Sequence, residues 1–169
     1  MITTASPAEQ REHIYKLLKG FRTAMLVTHG DEDHLRVRPM AIAQVEENGQ
    51  VWFVTSSETA KAHEIEHDSR VHLVCQNDQS AYLSIGGRGR LVHDKAKLAQ
   101  VWNEMMKVWF PEGQDDPTIA LIAVTPEEGE FWDNGGVHKF KYLFESAKAY
   151  LTGTTPDLEE GKEHGMARL

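Results

Sequence analysis

Between Thr55 and Asp68 the chain reads TSSETAKAHEIEHD, and two site chemistries overlap there. His63-Glu64-Ile65-Glu66-His67 is an H-E-x-x-H pattern. On a long helix that pattern sets two imidazoles on one face as zinc ligands, with the glutamate beside them as general base. The other half of the stretch carries hydroxyls, on Thr55, Ser56, Ser57 and Thr59, where a strand pattern gives way to a helical one. The unpaired amides and the dipole of a helix start favour an anion, and Lys61 adds a full charge. Upstream, Arg36 and Arg38 stand two apart on a strand pattern and so share a face. A guanidinium suits phosphate because its planar fork donates two parallel hydrogen bonds.

The elements around these residues weigh against zinc. Ser57 opens the helix and the strand beginning at Arg70 ends it, which leaves about two turns, roughly 58 to 66, where a zinc protease has a long helix. His72 and His93 lie downstream on strand patterns, outside the helix context a third ligand needs. With nine histidines in the chain, the pentapeptide also arises readily by accident on a solvated helix around a buried Ile65. No metal ligand is assigned. The anion reading has a rival too, since Arg36, Arg38 and Lys61 also fit ordinary solvated cations.

Further elements follow from local signals. Ser6-Pro7-Ala8-Glu9 combines an N-cap serine, proline at the first helical position and glutamate at N3; with Ile14, Leu17, Leu18 and Phe21 at helical spacing it predicts a helix over 7–19. TAMLVTHGD is the first strand and HLRVRPMAIAQV the second. Asn48-Gly49 then predicts a type I′ hairpin into QVWFVTS, antiparallel to the second strand. RVHLVCQ and AYLSIGGRGRLV are further strands, with GGRG marking a bulge or bend. A helix over 94–108 with Leu98, Val101, Trp102, Met105 and Val108 on one stripe, a strand TIALIAVTP and a short last strand around GEFWD complete the barrel. Residues 139–152 are assigned to helix, and the tail 153–169 is expected to be polar and loose. Short antiparallel strands with helices between them predict a small β-barrel with added helices, in one domain over 1–152.

Composition bounds the partners. The net charge is −8, from 18 basic and 26 acidic residues, so a nucleic-acid or anionic-membrane binder is not expected, while a local basic spot still suits one small anion. Cys75, the single cysteine, lies in the apolar run VHLVC and reads as a buried reduced thiol. The N-terminal residues show no signal-peptide pattern and no apolar run has membrane-span length, so the cytoplasm is the expected compartment.

Read together, LRVRPMAIAQVEENGQVWFVTSSETAKAHEIEHDSRVHLV resembles the flavin-binding core of the pyridoxamine-phosphate-oxidase-like split barrels. VTPEEGEFWDN resembles a later segment of that family, and the words RPM and WD, at Arg38-Pro39-Met40 and Trp132-Asp133, are similar to its general stress protein branch. The resemblance runs from about Phe21 to Asn134. It implies a homodimer with FMN, or FAD, at the subunit interface. In that arrangement Arg38 and Lys61 hold the phosphate with Thr55, Ser56 and Thr59. Met40, Ala41 and Ile42 run their backbone beside the isoalloxazine edge, with Pro39 also among the cofactor-binding residues; Val54 lies near the ring, Ser84 touches it in place of the family's glutamine, and Trp132 approaches from the other subunit. Related split barrels take a deazaflavin or haem instead.

Two departures shape the expected activity. Ala60 stands beside Lys61 where the oxidase has an arginine, and GGVHKFKY replaces the R-L-H-D-R word for the pyridoxal phosphate substrate. Pyridoxamine phosphate oxidation is therefore not expected. Two function classes remain: an FMN-dependent oxidoreductase of unknown substrate, or a flavin buffer or sensor without turnover. No acid–base pair is assigned; His29, Asp31 and His34 fit a surface loop as well as a site.

Overall fold

A computed structural model describes residues 5–77, 81–133 and 164–169. Helix α1 (Pro7–Gly20) starts as its sequence dictates. The Glu9 amide donates to Ser6 Oγ at 3.3 Å and Glu9 Oε2 accepts from the Ser6 amide at 2.7 Å. Such a cap stabilises a helix by about 1 kcal/mol. The strands are β1 (Thr23–His29), β2 (Leu35–Ala41), β3 (Gln44–Val45), β4 (Val51–Ser56), β5 (Arg70–Gln76), β6 (Ala81–Val92), β7 (Ile119–Asp133) and β8 (His164–Arg168). Helix α2 (Ala60–His67) joins β4 to β5, and α3 (Lys95–Val101) follows β6.

All pairings are antiparallel, in the order β2-β1-β5-β6-β7-β4-β3, with β8 beside the far half of β7. The sheet curls around a core of Leu26, Phe53, Leu73, Leu83, Ile85, Ile122, Val124 and Phe131, which Ile14 and Leu18 of α1 and Ile65 of α2 close. A second cluster, Trp52, Leu98, Val101, Phe110, Leu121 and Ala123, seats α3 on the opposite face of β4 and β7. This is the expected α+β split barrel: an antiparallel half-barrel with three α-helices among the described residues.

Several boundaries differ from the sequence reading. The second strand breaks after Ala41 because the chain changes partner there. The Ile42 amide donates to Arg22 O beside β1, and the Ala43 amide donates to Trp52 O on β4. The hairpin after β3 is not type I′. Only Gly49 has positive φ (84°), and its amide donates to Glu46 O at 3.0 Å, the pattern of a three-residue loop ending in a left-handed glycine. The GGRG signal does mark a bulge, between Gly86 and Gly87, opposite Pro126 of one continuous β7. A proline is tolerated in a strand at such a site, so VTPEEGEFWD forms no separate element.

The helix expected over 94–108 ends at Val101. Asn103 caps a separate 3-10 turn by accepting from the Met105 amide, and Met105 and Val108 point to solvent. The tail is also corrected: His164–Arg168 is strand β8, with Gly165 and Ala167 turned inward. A Cβ on Gly165 would lie 2.9 Å from Phe131 Cε1, so close packing requires glycine there. The helix expected over 139–152 and the boundary near 152 lie outside the described residues.

One polar clasp fastens α3 to the β3–β4 hairpin. Lys97 Nζ donates to Gln44 Oε1 at 2.7 Å and Glu46 Oε1 at 2.6 Å and sits 4.6 Å from the Trp52 ring centroid. The hydrogen bond from Lys97 holds the Glu46 carboxyl below its ordinary value. Lys97→Ala is expected to lower the unfolding free energy by about 2 kcal/mol in urea, the scale of charged hydrogen bonds. Because the folded value is depressed, the contribution is present above the ordinary carboxylate range and fades as pH falls through the folded value. An unchanged urea midpoint at neutral pH would rule the clasp out as a stabilising feature.

Candidate functional site

Alternation along β2 sets Arg36, Arg38 and Met40 on the face of Leu26 and Thr28, with Leu26 opposite Arg38 and Thr28 opposite Arg36. On α2, Ala62 and Ile65 are buried against the sheet. Lys61 and Glu64, three residues apart, flank that buried stripe and meet the two arginines. Arg38 Nη1 donates to Thr28 Oγ1 at 2.6 Å, Arg38 Nη2 donates to Glu64 Oε2 at 2.9 Å, and Thr28 Oγ1 donates to the same carboxylate oxygen at 2.6 Å. Arg36 Nε lies 3.3 Å from Glu64 Oε1.

The electrostatics follow from this packing. Burial lowers the Lys61 ammonium from its ordinary value, the Arg38 charge lowers it further, and Glu64 raises it in part. Arg38 and Lys61 therefore feel one another across the cleft between β2 and α2. Burial pushes the Glu64 carboxyl up, but hydrogen bonds from Thr28 and Arg38 and the charges of both arginines hold it below the ordinary range. Lys61 Nζ makes no hydrogen bond or ion pair with a described residue. Local positive charge thus outweighs the one carboxylate among it.

The loop into α2 completes this surface. Thr59 is the N-cap, yet its hydroxyl donates back to Ser56 O at 2.8 Å instead of capping the helix. Among the described residues nothing accepts from the Ala60 and Lys61 amides. Thr55 is buried with its hydroxyl 3.4 Å from that of Thr59, and Ser56 Oγ accepts from the Glu58 amide. Ser57 turns away and donates to Thr118 O, anchoring the loop to the start of β7.

The remaining sequence-derived positions are dispersed. β2 is an edge strand of the sheet, so its backbone beyond β1 is unpaired in the ladder along Pro39 and Ala41, which are exposed. Met40 and Ile42 pack half-buried on the main core, and Val54 packs on the α3 side. Ser84 is on β6, its Oγ 2.7 Å from His72 Nε2. Trp132 stacks on His164 with ring centroids 5.1 Å apart. At about 4.8 Å per strand, Trp132 on β7 lies roughly 19 Å along the sheet from β2. The structure brings Arg38, Lys61, Thr55, Ser56 and Thr59 to one end of the barrel and sets Ser84 and Trp132 on its outer face.

Sequence reading missed Thr28 and Glu64. Thr28 is one of two threonines on a mostly apolar strand, and Glu64, three residues after Lys61, stands inside the H-E-x-x-H pattern, which gives it a different reading. His63 and His67 are exposed, and among the described residues no group of three or more potential ligands could hold a metal ion. No described helix is long and apolar enough to cross a membrane.

The outer face of the half-barrel carries Leu35 and Val37 (β2), Met25 (β1), Val74 (β5), Tyr82 (β6), Trp132 (β7) and Met166 (β8), each between 37% and 62% exposed. Their alternation with core residues places them side by side across the sheet.

The model of the family described as pyridoxamine 5′-phosphate oxidase like matches residues 9–157. The chain belongs to that family. Within it, the crystal structure of a protein described as a general stress protein 26 from Jannaschia sp. CCS1 is 28% identical, with a TM-score of 0.75, covering 96% of this chain and 99% of that one. The general stress FMN/FAD binding protein of Xanthomonas citri is 31% identical, with a TM-score of 0.65, covering 76% and 92%. Among curated proteins, general stress protein 26 of Bacillus subtilis is 29% identical over 82 residues, which is 46% of this chain and 58% of that protein. The matched segments span less than two thirds of the length of the curated relatives. In this pyridoxamine-phosphate-oxidase-like chain, the hydroxyl-rich start of α2 and the Arg38–Lys61 cleft both lie inside the matched residues.

Proposed function

We propose that this chain is a homodimeric flavin-binding protein, with FMN held by its 5′-phosphate, and that it acts as an FMN-dependent oxidoreductase. The observation that carries this reading is the approach of Arg38 and Lys61 at the start of α2, where a half-buried ammonium has no partner among the described residues and two helix amides are unpaired. Such a donor set fits a phosphate monoester: a fork, a point charge and helix amides. The relative described as an FMN/FAD binding protein supports the choice of flavin, with FAD as second candidate. A bound flavin would supply the hydride- and electron-accepting chemistry. The chain's own residues bind and orient: Arg38 and Lys61 neutralise the phosphate, and the free edge of β2 offers backbone groups to a ring laid along it.

The outer face supports the dimer. Exposed large apolar side chains on six neighbouring strands of one face suit a self-complementary twofold interface. A second copy seated there would bring its Trp132 toward a site that the chain's own Trp132 cannot reach.

A second reading, a flavin buffer or sensor without turnover, is favoured by the state of Glu64. Tied to Arg36, Arg38 and Thr28, this carboxyl nearest the cations is not free to exchange a proton with a substrate. Anaerobic mixing of the FMN-loaded protein with NADH and NADPH, followed at the flavin absorbance band, separates the two. Bleaching at enzyme-like rates, on the order of 1 per second or faster, is the expected result for the oxidoreductase. No bleaching with either donor would overturn a nicotinamide-driven reductase and leave binding as the function.

A further inference from the structure

We propose that Glu64 is the resident counter-anion of the phosphate site: its carboxylate occupies the Arg38 guanidinium until a phosphate ester takes its place. This rests on the phosphate-site reading above and adds the element that sets its affinity. Both carboxylate oxygens are engaged, Oε1 at 3.3 Å from Arg36 Nε, and Oε2 at 2.9 Å from Arg38 Nη2 and 2.6 Å from Thr28 Oγ1. The Glu64 side chain is only 10% exposed, so these contacts form in a partly desolvated pocket where charge interactions are strong. Arg36, Arg38 and Lys61 contribute three positive charges around this one negative charge. The excess that remains equals the charge of a doubly ionised phosphate monoester.

The carboxylate also has somewhere to go. A cavity of about 390 Å³ adjoins it between the β1–β2 connection and α2, lined by His29, Asp31, Arg36, His63, Glu64 and His67 among others. Rotation into that space keeps Arg36 within reach while freeing the Arg38 fork. Glu64 thus serves two opposed purposes. It keeps Arg38 folded against Thr28 when no ligand is present, and it competes with the ligand for the same donors. Removing its charge should destabilise the ligand-free protein and tighten anion binding together, a pairing that a purely structural residue would not show.

The test uses inorganic phosphate as probe, in a phosphate-free buffer, by isothermal titration and by the phosphate-induced shift in melting temperature. Glu64→Gln is expected to bind phosphate about tenfold more tightly than the unaltered protein, the worth of about 1.4 kcal/mol. It should also melt lower without ligand and gain more from saturation. Thr28→Val, which removes one of the hydrogen bonds holding the carboxylate without altering charge, should change affinity in the same direction by a smaller factor and gives an independent result if Glu64→Gln does not fold. Unchanged or weaker phosphate binding in whichever variant folds would overturn the proposal. Lys61→Ala serves as the separate control. If Lys61→Ala binds phosphate as tightly as the unaltered protein does, the phosphate-site reading fails, and the role of Glu64 with it.

Discussion

Lys61→Ala and Arg38→Ala are each expected to weaken FMN binding by about 1.5–3 kcal/mol, roughly 10- to 150-fold in Kd. Lys61 is the more informative of the two. Its ammonium is partly buried beside Arg38 with no partner of its own, so the ligand-free protein bears a desolvation and repulsion cost that a bound phosphate relieves. Its removal should therefore leave stability nearly unchanged or slightly raised while affinity falls. Arg38 differs, because Thr28 and Glu64 lose a donor with it, and Arg38→Ala should lower both affinity and melting temperature. The two losses should not add when combined, since in the proposed site both groups hold one anion. Equal Kd values in both single variants and the unaltered protein, read by quenching of flavin fluorescence, would remove the phosphate assignment.

A charge on the outer face should have an effect as large. Val74 lies on β5 between β1 and β6, near the middle of the exposed apolar surface, and is 45% exposed in the single chain. Val74→Glu costs little in a monomer but sets two carboxylates, one from each copy, in an apolar interface. An unpaired buried charge costs about 3–5 kcal/mol, so dimer dissociation should become more than about 100-fold easier. Flavin affinity should fall with it, because in the proposed dimer the second copy completes the site. Sedimentation equilibrium at micromolar concentration reads the first effect. A monomeric unaltered protein, or a variant that dimerises as tightly, would contradict the interface.

Much of this was legible in the chain because its signals are local. The Ser6–Glu9 capping box, the glycine pair at the β6 bulge and the hydroxyls ahead of α2 each work within a few residues, and each stands where expected. What was missed depends on distant neighbours. Strand β8 turns Gly165 and Ala167 inward, and Phe131 fills the space a side chain at 165 would use, so HGMAR carries no hydrophobic alternation. The hairpin takes its turn type from where the chain leaves β1 for β4, which Asn48-Gly49 alone does not encode. In the site, the two cations could be named from residue type and spacing. Glu64 could not, because the H-E-x-x-H pattern drew attention to His63 and His67, while the fold turns the glutamate alone toward Arg38.

The central claim is that this barrel grips a phosphate and not merely a flat ring. Titrating the unaltered protein, stripped of any bound small molecule, with FMN and with riboflavin tests it most directly, since the two differ only in the group that Arg38 and Lys61 would hold. The expected result is FMN binding at least about 100-fold tighter than riboflavin, the worth of two charged hydrogen bonds. Equal affinity for the two would contradict the site described above.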